Sequence, residues 1–399
     1  MAPTRPTILQ VIPELDTGGA ERTTIEIAAA ITRAGGRALV LSEGGRLEAD
    51  LAAAGGELVR CPAGTKNPFR MLANAGRISR IIAAENVDLV HARSRAPAWS
   101  ALLATRRTRR AFVTTYHGAY NETNAAKKAY NAVMAKGDIT IANSRYTARL
   151  VASRYGTPED RLRVVYRGVD GTLFDPGAIA PARIAALRAA WKVGADAPLI
   201  LHAARLTGWK GQTVVVEAAR LLRERGALGD AHVILAGDAQ GRENYREGLA
   251  AAIAAAGLGG RVHLVGHVAD MAAAFRTAHV AVVASIEPEA FGRAATEAEA
   301  VACPVIATRI GAPRETVLAP PDVAPEAATG WLVPPGNAAA LADVLAEALA
   351  LSAESRAAMG ERARRHVLAA FSLAAMQRQT LAVYDSLLGT HLAEAFERA

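Results

Sequence analysis

A chain of 399 residues with 51% hydrophobic and 21% charged side chains can fill two cores of ordinary domain size, which excludes a disordered protein. Its two cysteines, Cys61 and Cys303, lie far apart and outside any Cys/His cluster, which excludes a disulfide framework and a cysteine-rich zinc site. The net charge of +8 is unevenly spread, since residues 1–175 hold 25 basic and 16 acidic side chains and residues 176–399 hold 21 and 22; a basic first half attracts anionic lipid, anionic glycan or nucleic acid, unless it serves solubility alone.

Residues 7–12 read as an apolar strand that runs through Pro13 into Asp16-Thr17-Gly18-Gly19-Ala20-Glu21 before a helical pattern over 23–34. Paired glycines after a first strand let backbone approach a phosphate or sugar with no Cβ in the way, although the three spaced glycines of a dinucleotide fingerprint are absent. Strand and helix then alternate, at 38–42 and 47–54, and at 58–61 and 72–84, with a further strand at 87–91. Arg93, Ser94 and Arg95 follow that strand, where two guanidiniums would hold an acidic acceptor group; surface ion pairs are the alternative. Residues 111–115 form a strand ending in Tyr116-His117-Gly118, and 139–142 a strand with a helix cap at Asn143-Ser144.

Residues 171–197 carry Pro176 and Pro181 around a short Ala-rich helix and suit a linker. A strand at 199–203 then leads through Arg205-Leu206-Thr207-Gly208-Trp209-Lys210-Gly211 into a helix at 212–225, and a strand-to-helix loop with two cations suits a diphosphate. Strands at 232–236 and 262–265 end in Gly237-Asp238 and Gly266-His267-Val268, and a helix at 270–278 precedes a strand at 279–283. Helices at 338–349, 355–369 and 371–388 complete the pattern, after a Pro-containing insertion at 319–328.

The strand at 279–283 opens into Ala284-Ser285-Ile286-Glu287-Pro288-Glu289-Ala290-Phe291-Gly292-Arg293 and an Ala-rich helix. Ligands of open parallel sheets sit outside the carboxyl ends of the strands, where helix N-termini aim unpaired N–H groups at anions. Glu289 in the loop and Glu297 two turns down the helix can each accept from adjacent hydroxyls, which suits a polyol. In isolation they would equally be two solvated carboxylates. They stand, however, in a wider order: Glu289-x-Phe291-Gly292, Glu297-Ala298, Pro304-Val305-Ile306-Ala307, Gly311 and Glu315. That order resembles the donor-site signature of the family-four retaining glycosyltransferases, also called group 1. Within that family the 91–95 tract and the 237–241 loop look like those of bacterial enzymes building lipopolysaccharide core and surface glycans.

The resemblance implies an α/β protein of GT-B architecture, with two Rossmann-like domains and the active site in the cleft between them. Domain boundaries are then expected at 1–175 for the acceptor, 176–370 for the donor, and 371–399 for a C-terminal helix crossing back to the first domain. By the same resemblance His117, Glu289, Arg205 and Lys210 carry the chemistry. The donor is held by Gly18, Gly19, Gly237, His267, Val268, Phe291, Gly292, Arg293 and Glu297, and the acceptor by Arg93, Arg95 and Tyr116. Arg167 departs from the Asn common in the family, Glu299 from an apolar residue, Cys303 from Gly and Ala312 from a second Gly.

The implied reaction moves a sugar, of mannose type on the likeness to those bacterial enzymes, from a GDP- or UDP-linked donor to a lipid-linked or surface glycan with retention at the anomeric carbon. No Asp-x-Asp pair is present to hold a divalent metal, so Arg205, Lys210 and helix N-termini are expected to meet the leaving diphosphate without metal or cofactor. The alternatives are an epimerase or phosphorylase on the same fold, or a non-catalytic nucleotide-sugar-binding subunit. No signal peptide is legible and no apolar run reaches about 18 residues. The expected location is therefore cytoplasmic, with Arg106, Arg107, Arg109 and Arg110 drawing the first domain peripherally to the anionic inner-membrane surface. No nucleic-acid-binding motif is recognised.

Overall fold

The computed structural model describes residues 5–16, 18–120 and 122–399. The chain divides into two units, one running to Gly168 and completed by Leu373–Ala399, the other Val169–Ser372. The division thus falls before the boundary expected at residue 175.

The first unit begins with β1 (Thr7–Val11), α1 (Gly19–Arg33), β2 (Arg37–Ser42), α2 (Glu48–Ala53) and β3 (Glu57–Arg60). It continues with α3 (Pro68–Ala84), β4 (Leu89–Ala92), α4 (Arg95–Thr108), β5 (Ala111–Tyr116), α5 (Ala125–Asn131), β6 (Ile139–Ala142), α6 (Arg145–Tyr155) and β7 (Leu162–Val164). The strands form one parallel sheet in the order β3-β2-β1-β4-β5-β6-β7. Every residue of β1 is buried, as a strand covered on both faces requires. The helix expected from residue 72 starts earlier, because the Asn67 side chain accepts from the amides of Phe69 and Arg70 and Pro68 is preset for the first turn. Helix α4 had no counterpart in the sequence reading; it buries mainly small residues, among them Ala96, Ala98, Ala101 and Ala104, and packs against α3.

The second unit contains α7 (Pro181–Ala190), β8 (Leu199–Ala203), α8 (Gln212–Glu224), β9 (His232–Ala236), α9 (Glu243–Ala255), β10 (Val262–Gly266) and α10 (Met271–Thr277). Then follow β11 (Val280–Val283), α11 (Arg293–Ala300), β12 (Val305–Thr308), α12 (Pro313–Thr316), β13 (Gly330–Val333), α13 (Ala338–Ala350) and α14 (Ala353–Ala370). Its parallel sheet has the order β10-β9-β8-β11-β12-β13. Both units are therefore doubly wound, with the strand order reversing beside the first strand of each sheet. The stretch read as a linker belongs to the second unit: Phe174, Ile179 and Trp191 are buried, Arg183 is paired with Asp270 at 2.7 Å, and the buried Arg188 donates to Thr277 Oγ1 at 2.8 Å.

The chain returns to the first unit as α15 (Leu373–Leu388) and α16 (Leu392–Arg398). Met376, Leu381, Tyr384, Leu392 and Phe396 join one core with residues of β1 and α1. The Tyr384 hydroxyl bonds His91 Nδ1 at 2.7 Å, while His91 Nε2 bonds Thr115 Oγ1 at the same distance. Burial, then the charge of Arg93, hold His91 well below the usual histidine range, so the chain from Tyr384 to Thr115 is a neutral, fully paired network.

Glu299 departs from such pairing. It is wholly buried in α11, its Oε1 accepts from Thr329 Oγ1 at 3.0 Å, and its Oε2 has no hydrogen-bond partner among the described residues. Burial raises its pKa well above the usual carboxyl range. A folded-state pKa above the unfolded one means that this carboxyl's favourable contribution is complete in acid and is lost as pH rises from the ordinary glutamate range toward the folded value. Glu299→Gln keeps the acceptor for Thr329 without that loss. Denaturant unfolding at a series of pH values should show the variant gaining on the parent by up to about 1.4 kcal/mol per pH unit above the ordinary glutamate range. A pH-independent offset would contradict this.

Candidate functional site

In the second unit the strand order reverses between β8 and β11, and the loops that follow these two strands converge. The Ile286 amide donates to the Trp209 carbonyl at 2.8 Å, joining the loops through their backbones. Lys210 and Glu289 then meet in a largely buried ion pair through Nζ and Oε1, and Ser285 Oγ donates to the same oxygen at 2.6 Å. The Lys210 ammonium also stands 4.2 Å from the centre of the Trp209 ring. Burial would raise the Glu289 pKa; the neighbouring Lys210 charge and the bonds from Lys210 and Ser285 outweigh it, and the carboxyl is held below its ordinary value.

Two glycines make the convergence possible. Gly211, at φ +76°, would place a Cβ 1.9 Å from the Ala284 carbonyl oxygen, and Gly237 would place one 1.9 Å from that of Ala204. No side chain fits either approach, so each loop runs against its neighbour on backbone alone. Glu289 is pinned from its other side by an isolated bridge to Gly311 and by the Ala312 amide, which donates to the Glu289 carbonyl at 2.9 Å.

The other donor-site expectations sort as follows. The Arg205 side chain is exposed, and its carbonyl accepts from Gln212 Nε2 at 2.8 Å, which fixes the loop against the start of α8. His267 and Val268 line a cleft of about 570 Å³ with Trp191, Lys192 and the end of β10. Phe291 is buried, with its ring edge-on to Phe371 at 5.7 Å between centres, so it supports the loop from inside. Gly292, at φ +87°, turns the chain into α11, whose first residue Arg293 donates through Nε to Glu297 Oε1 at 3.1 Å. The loop cations and the N-terminus of α8 together offer an anion several donors, as a phosphate group requires.

In the first unit Gly18 caps α1 in extended conformation, and a Cβ on it would meet the Glu21 carboxylate at 2.3 Å; the adjoining Thr17 lies outside the described residues. His117 follows β5, and its Nδ1 lies 3.0 Å from an amino nitrogen of Arg167. The three acceptor-binding expectations need revision. Arg93 continues the β4 ladder by donating its amide to Val11, and its buried guanidinium turns to β1, with Nε and NH2 on Gln10 Oε1 at 2.9 and 2.6 Å. Arg95, in the first turn of α4, lies over the Tyr120 ring at 4.1 Å and bonds Asn131. Tyr116 is fully buried among Tyr120 and Tyr155, since it is the last β5 residue and faces the core. The two guanidiniums therefore serve different contacts, and neither Arg93 nor Tyr116 offers a surface to an acceptor.

Ser285 and His202 were not singled out from the sequence. His202, on β8, bonds the Val282 carbonyl of β11 through Nδ1 at 2.8 Å, and burial pushes its pKa down to about 4. A serine directly after a strand and a histidine within one are unremarkable in sequence. Their roles depend on the pairing of β8 with β11.

The glycosyltransferase family 4 description matches residues 17–172, and the description of glycosyl transferases group 1 matches residues 184–366. A solved glycosyltransferase from Rickettsia africae is 36% identical, superposes with a TM-score of 0.87, and is covered over 100% of its length by 97% of this chain. HepE from Anabaena, solved with UDP and glucose, shares the fold at 23% identity and a TM-score of 0.82, over 96% of this chain and 100% of that one. The D-inositol 3-phosphate glycosyltransferase of Arthrobacter is 36% identical over 228 residues, 57% of this chain and 50% of the relative. The chain spans about half the length of the curated relatives it matches.

The ion pair sets a stability expectation. Lys210→Met leaves a buried carboxylate with Ser285 as its remaining charge-stabilising side chain and should cost about 1–3 kcal/mol. Glu289→Gln should cost less, and a double-mutant cycle should give a coupling of about 0.5–3 kcal/mol. Because the Glu289 pKa is lowered in the folded state, its contribution is present above the ordinary carboxyl range and is lost as pH falls from that range through the lower folded value. Coupling measured by urea unfolding should shrink accordingly between neutral and acid pH. A coupling near zero at neutral pH would show that the pair is not a unit.

Proposed function

This chain belongs to the family-four, group 1 glycosyltransferases, and from that premise we propose that it transfers a sugar from a nucleotide diphosphate donor to an acceptor hydroxyl with retention at the anomeric carbon. The observation that carries the reading is the convergence of the Arg205–Gly211 and Ala284–Gly292 loops, locked by Lys210 and Glu289, at the strand-order reversal of the second unit. In the step proposed, the bond from the anomeric carbon to the diphosphate oxygen breaks and the acceptor oxygen bonds to the same face. The acceptor proton passes to the departing phosphate oxygen. Arg205, Lys210 and the N-terminus of α8 meet the charge that develops on the diphosphate, and on this account the reaction proceeds without a metal ion. Glu289, fixed as a carboxylate, offers lone pairs to sugar hydroxyls.

For the acceptor two chemistries have support. The relatives named D-inositol 3-phosphate glycosyltransferase favour a phosphorylated cyclitol. A lipid-linked or surface glycan, of which lipopolysaccharide core is one kind, is favoured by the face that α3 and α4 present. Neither the 62–84 stretch nor the 92–110 stretch contains Asp or Glu. Lys66, Arg70, Arg77, Arg80, Arg106 and Arg107 are exposed on these segments, as are Phe69 at 83% and Leu72 at 51% exposure. Basic side chains around exposed apolar ones suit the headgroup region of an anionic bilayer, so the proposal places the protein peripherally at a cytoplasmic membrane face. No helix of the described residues is long and apolar enough to cross a membrane.

Turnover tests the reaction. With UDP- and GDP-linked sugars assayed for hydrolysis and for transfer, Arg205→Ala and Lys210→Met should each lower kcat by about two to three orders of magnitude while the fold persists. Near-parental turnover in both would remove the diphosphate assignment, and a preference for inositol phosphate over glycolipid would decide the acceptor. Liposome flotation tests the location. Binding to anionic vesicles at low salt should be lost when Phe69 and Leu72 become Ser, and should weaken as ionic strength rises, because the screening length falls from about 10 Å at 0.1 M to about 3 Å at 1 M salt. Equal flotation with neutral vesicles would contradict the electrostatic part.

A further inference from the structure

His117 and Arg167 are brought together from separate parts of the first unit, the one just after β5, the other after β7. Arg167 NH2 lies 3.0 Å from His117 Nδ1. A guanidinium carries only donors, so Nδ1 must be the lone-pair nitrogen, and the single proton of a neutral imidazole must then sit on Nε2. His117 Nε2 is buried and has no hydrogen-bond partner among the described residues. A buried N–H left unpaired is costly, and that cost is recovered when an acceptor atom arrives.

The surroundings work in the same direction. Burial, then Arg167, then Arg93 hold the His117 pKa well below the ordinary range. The titratable neighbours are His91, itself neutral, and Tyr120, whose hydroxyl is raised to about 12 by burial; neither supplies a negative charge that would favour imidazolium. An Asn at position 167 can accept as well as donate through its amide, so it would leave both imidazole tautomers open. Arg removes that choice.

We propose that Arg167 is a positioning residue that fixes His117 as the neutral Nε2–H tautomer, so that Nε2 presents one directed donor to an oxygen of the bound sugar substrate. The sugar oxygen as its acceptor rests on the glycosyl-transfer reading above; the tautomer does not. His117 polarises or orients that oxygen and takes no proton, which separates it from a general base. Loss of the Arg167 contact would let the imidazole exchange tautomers and become protonated nearer neutrality, leaving the donor misdirected in part of the population.

The test is long-range 15N–1H correlation on the full chain labelled at its nine histidines, with His117 assigned by its loss in His117→Gln. Expected for the parent is the Nε2–H pattern, unchanged from about pH 8 to pH 5.5. Arg167→Met should show mixed tautomers and a His117 titration moved upward. Arg167→Lys, which keeps a donor and a charge, should restore the parental pattern, so that disruption of folding by Met is separable from loss of the contact. In kinetics, Arg167→Met should lose kcat toward acid pH by about tenfold relative to its own neutral value, with KM for the nucleotide sugar changing less, and Lys should flatten the profile again. An Nδ1–H pattern in the parent, or an unaltered tautomer and titration in Arg167→Met, overturns the proposal. If the spectra behave as stated but no variant, nor the parent, transfers sugar, the positioning role stands and the reaction assignment falls.

Discussion

The contact on which the arrangement of the second unit's converging loops depends is the ion pair between Lys210 and Glu289. Each residue sits in a loop that a parallel sheet supplies at the carboxyl end of a strand, and β8 and β11 are the neighbours between which the strand order reverses. An open crevice at such a place is a general property of the fold. What this sequence adds is a charge pair held in a setting where water is largely excluded, so that neither side chain is free to drift. Gly211 and Gly237 allow the backbones to close, Ser285 adds a second bond to the carboxylate, and Gly311 and Ala312 hold it from behind. Lysine and glutamate positions are thereby set by the fold itself, before any ligand arrives.

The first unit uses a different economy of charge. Arg93 is committed to Gln10, Arg95 to Asn131 and the Tyr120 ring, and His91 to Tyr384 and Thr115. These contacts satisfy buried donors in a region rich in arginine, and they leave His117 with one nitrogen engaged and one not. Two neutral imidazoles beside two guanidiniums make an interior that repels further cations and accepts an electronegative atom at few places.

Much of the fold was legible because strands of a parallel sheet are continuous apolar runs and their carboxyl ends carry glycines and charged residues at fixed places. The loop cations, the Glu289 carboxylate and the glycines at 237 and 292 were readable in that way, since backbone constraint and charge leave a mark on sequence. Direction was not readable. Arg93 reads in sequence as a crevice-edge guanidinium for an acidic acceptor, or else for a surface partner, but its backbone is still in the β4 ladder, and that sends its side chain to Gln10. Tyr116 stands at a strand end, where the resemblance places it against an acceptor, whereas its side of the strand is the core. Helix α4 is hidden in sequence by Pro97 and a run of small residues, and its packing against α3 rather than propensity makes it a helix. His202 and Ser285 depend on partners from other elements, which no local pattern records.

The return of the chain to the first unit has a consequence for how the protein is made. Tyr384, Leu381 and Phe396 lie in one core with β1 and α1, and Tyr384 closes the hydrogen-bond chain through His91. During synthesis the second unit, continuous from Val169 to Ser372, can complete its core as soon as it has left the ribosome. The first unit cannot, although most of it emerges earlier: its core stays short of one wall, and His91 stays without its phenol partner, until the last helices appear. The order of completion is thus the reverse of the order of synthesis, and the nascent first unit must hold apolar surface exposed for the time it takes to translate the second.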